Sequence, residues 1–380
     1  MKLEQVQFSK AKQWEIVRTD GTISNPNLIL VFGERMLLEQ VEWFDSLKKK
    51  YPNACIVSTT TSGEILQTEV YDDTISATVI QFEKASIYCK KISISEVKDS
   101  FEAGKKLIQD IPKENLKHIL VFSDGHSVNG TYLVRGIDSG LPKDVTLTGG
   151  LAGDAARFEK TLVGLNELPS AGTIVMIGLY GDSLKVGLGC QGGWDAFGPI
   201  REITKSIDNE LFELDHQSAL ELYKKYLGGQ ADHLPGSALL FPLAIKAKKD
   251  GQAIMRTILS INEEKQSMIF AGNMPEGASA QLMKANFDRL IDGAGVAAEQ
   301  SLVSLKDSKP ELALLISCVG RKLILNQRTD EEVEAVAESL GGDPYITGFY
   351  SYGEIAPFFD EVKCELHNQT MTITTISEID

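Results

Sequence analysis

Three segments place a glycine and an acid directly after a short apolar strand: Ala54-Cys-Ile-Val-Ser-Thr-Thr-Thr-Ser-Gly-Glu64, Val145-Thr-Leu-Thr-Gly-Gly-Leu-Ala-Gly-Asp154 and Tyr345-Ile-Thr-Gly-Phe-Tyr-Ser-Tyr-Gly-Glu354. Glycine lets the backbone come close to a bound molecule. The neighbouring carboxylate gives that approach a charge, and a rigid sheet holds loops of this kind in place. These loops supply the first candidate ligand-binding residues: Ser62, Gly63, Glu64, Gly149, Gly150, Asp154, Tyr352, Gly353 and Glu354. Two roles are open to each acid: contact with a ligand amine, or acceptance of N–H bonds from its own loop or a following helix.

Four more candidates lie near the C-terminus. Arg321 follows Leu315-Ile-Ser-Cys-Val-Gly at a strand end; it can clamp a carboxylate through two bonds or bridge domains in a salt bridge. Cys318 beside it is either a thiolate stabilised by that charge or a small buried hydrophobe. His367, with Asn368 next to it, is a haem or metal ligand or a hydrogen-bonded residue at a domain interface. His126 and His118 are further possible ligands, though His118 flanks a strand and is expected to be exposed. A Cys318–His367 pair would make a nucleophilic site only if the fold joined them. Gly149-Gly-Leu-Ala-Gly is not the dinucleotide fingerprint, and neither a Walker lysine nor a G-x-S-x-G elbow occurs. The expectation is a binding protein, not an enzyme, with no bound metal and no resident cofactor; haem is the alternative.

The chain has 380 residues, which favours two or three domains. Its 53 acids outnumber its 38 bases, which argues against nucleic acid or an anionic membrane as partner. No signal peptide or membrane span is visible. The five cysteines are scattered without a C-x-x-C pair, so neither a disulfide framework nor a zinc site is expected, and a cytoplasmic setting fits best.

The elements that must position the loops alternate between strands and helices. Leu28–Phe32 reads as a buried strand and 35–51 as a helix with one apolar stripe. Residues 75–82 and 86–94 read as a hairpin, 96–111 as a helix, 118–122 as a strand and 129–137 as a helix. A second hairpin is expected over 173–180 and 184–190, turning at Gly181-Asp182, and a third over 253–262 and 267–271. Residues 278–305 read as one long helix, 312–317 as a strand, 329–340 as a helix with Thr329 and Glu332 in a capping box, and 365–376 as a last strand. Hairpin, helix, strand, helix, strand and Gly-acid loop thus recur over 74–154 and 253–354. The fold class is α/β, two domains with mixed sheets built from duplicated strand-helix-strand and hairpin units. The domains are placed at 25–215 and 216–370, with the seam within 208–236. The segment Gly192–Pro199 is read as structural, with Trp194 and Phe197 packing at that seam.

Several strings together resemble the FIST family (F-box and intracellular signal transduction): Phe122-Ser-Asp-Gly125, Gly149-Gly-Leu-Ala-Gly-Asp154, Gly189-Cys-Gln-Gly-Gly-Trp194, Leu214-Asp215 with Ala219-Leu-Glu-Leu-Tyr223, Leu315-Ile-Ser-Cys-Val-Gly-Arg321, Gly348-Phe-Tyr-Ser-Tyr-Gly-Glu354 and Leu366-His-Asn-Gln-Thr370. The likeness spans nearly the whole chain. It implies an N-type and a C-type FIST domain and a sensory module binding a small, amino-acid-like molecule. It also implies a separate output partner: a histidine kinase, a chemoreceptor or a cyclic-dinucleotide enzyme. A haem-binding nitric-oxide sensor acting on a histidine kinase is the alternative within the resemblance, and a cysteine-dependent enzyme a second alternative. His126 departs from the resemblance, which implies an apolar residue there.

Overall fold

The computed structural model describes residues 1–247, 251–305, 308–358 and 363–379. The molecule is α/β, with mixed sheets. One unit occurs three times: two parallel strands joined by a helix, then a strand returning antiparallel to the first. In the first unit these are Leu28–Gly33 and Cys55–Thr60, the helix Glu42–Lys50, and the return Ile75–Gln81. In the second they are Leu116–Ser123 and Thr146–Leu151, the helix Gly130–Asp138, and Thr173–Tyr180. In the third they are Leu312–Cys318 and Tyr345–Ser351, the helix Thr329–Leu340, and Met371–Glu378. A fourth strand lies beyond each return: Lys2–Ser9, Ser86–Ser93 and Leu184–Gln191. The sequence reading counted two copies of a unit; the N-terminal part of the chain is a third.

The three resulting six-stranded sheets enclose one core. Phe32, Phe122 and Phe349 meet there, with ring centroids 4.9–6.2 Å apart. Helices cover the outer faces. The central strands are therefore buried on both faces, which is why Leu28–Gly33 and Leu312–Cys318 are continuous apolar runs.

Two expected hairpins are corners between sheets. Ile75–Gln81 has Leu28–Gly33 on one edge and Lys2–Ser9 on the other, so no edge is left for Ser86–Ser93, which joins the second sheet. Thr173–Tyr180 is likewise flanked on both edges, and Leu184–Gln191 passes to the third sheet. The chain end closes this ring. The Met1 ammonium lies 3.2 Å from Glu378, whose carboxylate also accepts N–H bonds from Glu83, Lys84 and Ala85 at the first corner. A disulfide joins Cys55 to Cys89, where none was expected.

Residues 195–284 form an insert in the third unit, with their own eight-stranded sheet and the helix Ala219–Leu227 packed on it. The hairpin Ile258–Asn262 with Ser267–Phe270 forms as expected, but inside this insert. The expected helix 278–305 is a strand, Ser279–Lys284, followed by the helix Phe287–Val303. The reason is local: 279–284 alternate in burial, and the Asn286 side chain caps the helix through Arg289 N–H. The expected strand 365–376 is also two. Cys364–His367 belongs to the second sheet and Met371–Glu378 to the third. Residues 35–51 split into Arg35–Leu38 and Glu42–Lys50. The capping box at Thr329 is absent, because Glu332 binds Arg321, Ser317 and Tyr350 instead. In the segment read as structural, Trp194 donates to Gln369 O at 2.9 Å, while Phe197 lies in the insert near Phe241. No described helix is long and apolar enough to cross a membrane.

Candidate functional site

The three Gly-acid loops occupy the same place in the three units, and the chain after each adds a strand to a neighbouring sheet. Glu64–Leu66 pairs with the third unit's Tyr345–Ser351. Gly353–Pro357 pairs with the second unit's Thr146–Leu151. Val163–Leu165 pairs with the first unit's Cys55–Thr60. Backbone bonds tie the loops into a ring: Ser62 N to Tyr350 O at 2.8 Å, Gly153 N to Thr60 O at 2.9 Å and Tyr352 N to Leu151 O at 3.2 Å. Repetition thus brings the loops together at one end of the molecule.

The acids in these loops differ in chemistry. Glu64 binds the hydroxyls of Thr61 and Thr74. Glu354 has the matching pair, Ser351 at 2.7 Å and Thr370 at 2.9 Å. Both are fully buried, and burial pushes each carboxyl up to about 8, against the opposing pull of the hydroxyls. They are therefore mostly protonated at neutral pH. Asp154 instead faces two arginines, Arg35 at 3.0 Å and Arg157 at 2.6 Å.

Two cavities open at this end. The smaller, about 400 Å³, lies between the first and third units. Ser62, Gly63 and Glu64 line it with Asp72, Asp73, Arg157 and Lys322. Lys322 donates to Ser62 O at 2.9 Å and to Asp72. It reaches that carbonyl because residue 63 is glycine: a Cβ there would stand 2.4 Å from the ammonium, and the backbone φ is +134°. The larger cavity, about 750 Å³, lies between the insert and the loop ends of the second and third units. Cys318 and Tyr352 line it with His126, Phe158 and residues of the insert. Tyr352 stacks on Phe158 at 4.6 Å and donates to Ala155 O at 3.1 Å.

The other candidates do not line either cavity. Gly149 and Gly150 are packed inside the sheets, against Val121 and against Ile316 and Phe349. Gly353 packs on Leu151 and Leu366, and Asp154 and Glu354 lie behind the walls. Arg321 is fully buried; it pairs with Glu332 at 2.6 Å and donates to the carbonyls of Gly192 and Leu290. This is a salt bridge, but one within the third unit, where a bridge between domains or a clamp on a ligand was expected. His367 Nε2 lies 3.0 Å from Ala356 O, its ring edge-on to Phe358, and burial lowers its pKa to about 4. Asn368 is buried beside it without a side-chain partner. His118 is buried, not exposed, between Thr146 and Thr148, because it sits mid-sheet on an interior strand. Among the described residues no hydrogen bond joins Cys318 to His367. Burial pushes the Cys318 thiol up, away from the thiolate. No metal-binding cluster occurs among the described residues.

Sequence reasoning passed over Lys322, Arg157, Asp72 and Asp73. Lys322 directly follows Arg321, and Arg157 comes three residues after Asp154, so both were within reach of motifs already read.

Fold and cavities define a three-unit α/β protein with an insert and strand-end clefts suited to small molecules. Residues 27–217 match the FIST N domain and residues 219–357 the FIST C domain. The chain belongs to the FIST family, whose domains are associated with sensing in signal transduction. No curated protein matches the sequence. Among solved structures, cyanuric acid hydrolase from A. caulinodans is similar at a TM-score of 0.34 and 9% identity, over 94% of this chain and 91% of that one. At that distance the likeness carries no argument about activity.

Proposed function

We propose that this protein is a sensor, not an enzyme, and that a small polar, amino-acid-like molecule occupies the 400 Å³ cleft between the first and third units. The observation that carries this is the meeting of opposite charges on one small wall: Lys322 and Arg157 with Asp72 and Asp73. A ligand carboxylate and ammonium would both find partners there. Arg157 is held by the buried Asp154 and by Glu34, whereas the acid that Lys322 would release, Asp72, is exposed, so Lys322 takes the clamp role that Arg321 lacks. Binding would bias the contact between two units that share the strand Glu64–Leu66. The changed surface would pass to a separate histidine kinase, chemoreceptor or cyclic-dinucleotide enzyme.

Calorimetry against the proteinogenic amino acids and small carboxylates tests this. Hydrogen bonds to charged groups contribute about 1.5–3 kcal/mol, so Lys322→Met and Asp73→Asn should each weaken binding about 10- to 100-fold. Unchanged affinity in both variants refutes the site.

Haem is a second reading, favoured by the position of His126 on the wall of the larger, mainly apolar cavity. Haem would supply a gas-binding iron, and His126 would be the residue to hold it. Hemin titration should then give a Soret shift that is lost in His126→Ala; no specific shift removes this reading.

A further inference from the structure

The larger cavity has a chemistry of its own. Among the described residues, its wall contains no Asp, Glu, Lys or Arg. Phe158, Leu239, Ile258 and Phe270 make an apolar lining large enough for a ring-sized molecule.

Two polar groups, Thr257 on this wall and Arg256 behind it, lack what burial demands. Thr257 lines the cavity, and its buried hydroxyl has no partner. Arg256 is 3% exposed and donates only to carbonyls: Leu366 at 2.9 Å, Met255 at 3.2 Å and Asn273 at 3.3 Å. No described carboxylate pairs with it. Glu365, the acid that acts on it through space, pairs with Lys363 at 3.3 Å. Burial lowers the guanidinium to about 10, so it remains charged at neutral pH. A buried charge without a counter-charge is strongly unfavourable. Gly272 links this charge to the cavity. It lines the wall, and a Cβ at that position would stand 2.8 Å from Arg256 Nε and 2.9 Å from Cζ. With no side chain at 272, the guanidinium lies directly behind this part of the wall.

We infer that the larger cavity is a second binding site, for an amphipathic organic anion with an apolar, ring-sized body and one carboxylate. The carboxylate faces Arg256 across Gly272 and accepts from the Thr257 hydroxyl. A zwitterion is excluded on chemical grounds, since its ammonium would meet no acid on this wall. The ligand class therefore differs from that of the charged cleft, and the two sites are read separately.

The test uses the full chain and two probes of one shape: benzoate and its neutral counterpart benzamide. Benzoate should bind about 10-fold or more tighter than benzamide, as a bond to a charged group requires. Arg256→Met should bring benzoate down to the benzamide level and leave benzamide unchanged; loss of packing alone would weaken both equally. Thr257→Val should weaken benzoate several-fold. Lys322→Met should leave benzoate binding intact, so that failure of the charged cleft and failure of this site are distinguishable. The inference is overturned if benzamide binds as tightly as benzoate, if the preference survives Arg256→Met, or if neither probe saturates below about 10 mM, the range of the weakest specific sites. A hemin Soret band abolished by His126→Ala but not by Arg256→Met would also overturn it, giving the cavity to haem.

Discussion

Raising the pH from 6.5 to 8 should destabilise this protein through Glu64 and Glu354. Each carboxyl is pushed up to about 8 in the folded state from its ordinary value of 4.5. Between those limits the folded chain holds a proton that the unfolded chain has released, so stability falls as pH rises. The slope is about 1.4 kcal/mol per pH unit for each group. The slope falls to half as the pH reaches 8, so over this window it amounts to about 1.7 kcal/mol per carboxyl, or about 3 kcal/mol for the pair. The two buried histidines oppose this trend only weakly. Burial lowers His118 to about 3 and His367 to about 4; their stabilisation is full well above the unfolded value of about 6.5, and at pH 6.5 each has lost only about 0.4 kcal/mol of it. Urea unfolding at closely spaced pH values measures the slope. Glu64→Gln keeps the shape and the hydroxyl contacts but cannot titrate, so it should halve the slope. The double variant with Glu354→Gln should be nearly flat. A wild-type stability that is constant or rising between pH 6.5 and 8, or a slope unchanged by Glu64→Gln, would refute the reasoning.

Glu332→Gln should cost about 3–5 kcal/mol, because it leaves the Arg321 charge buried without its 2.6 Å partner; the urea midpoint at constant m-value checks this. Gly149→Ala should cost about 2 kcal/mol or more, since its Cβ would stand 1.9 Å from Val121 O inside the second sheet; thermal unfolding would show it. Asn286→Ala should cost about 1 kcal/mol by removing the cap of the helix Phe287–Val303, with Asn286→Asp largely restoring it.

The periodic parts of the fold were legible in the sequence. The runs at 28–32 and 312–317 had to be buried strands, and 129–137 and 329–340 had to be helices. Sheet membership was not legible. A short turn between two strand-like runs looks the same whether the strands pair or part company, and at 82–85 and 181–183 they part because their neighbours already fill both edges. The exchange of strands after each Gly-acid loop is equally invisible, because each partner lies about 100 to 285 residues away, in another unit. Arg321 shows the same limit for the site. Its residue type suits a clamp, but helix Thr329–Leu340 brings Glu332 to it first.

By itself, the sequence determined that short apolar strands would end in Gly-acid loops, that helices would join parallel strands, and that the repeated loops would be equivalent. These follow from local composition and period. Tertiary structure decided the rest. It closed three units into a ring, made Glu64 and Glu354 neutral by burial while Asp154 met two arginines, and set the insert over the loop end to make the larger cavity. Charge state and cavity shape depend on which distant surfaces exclude water from a residue, and no local pattern carries that information.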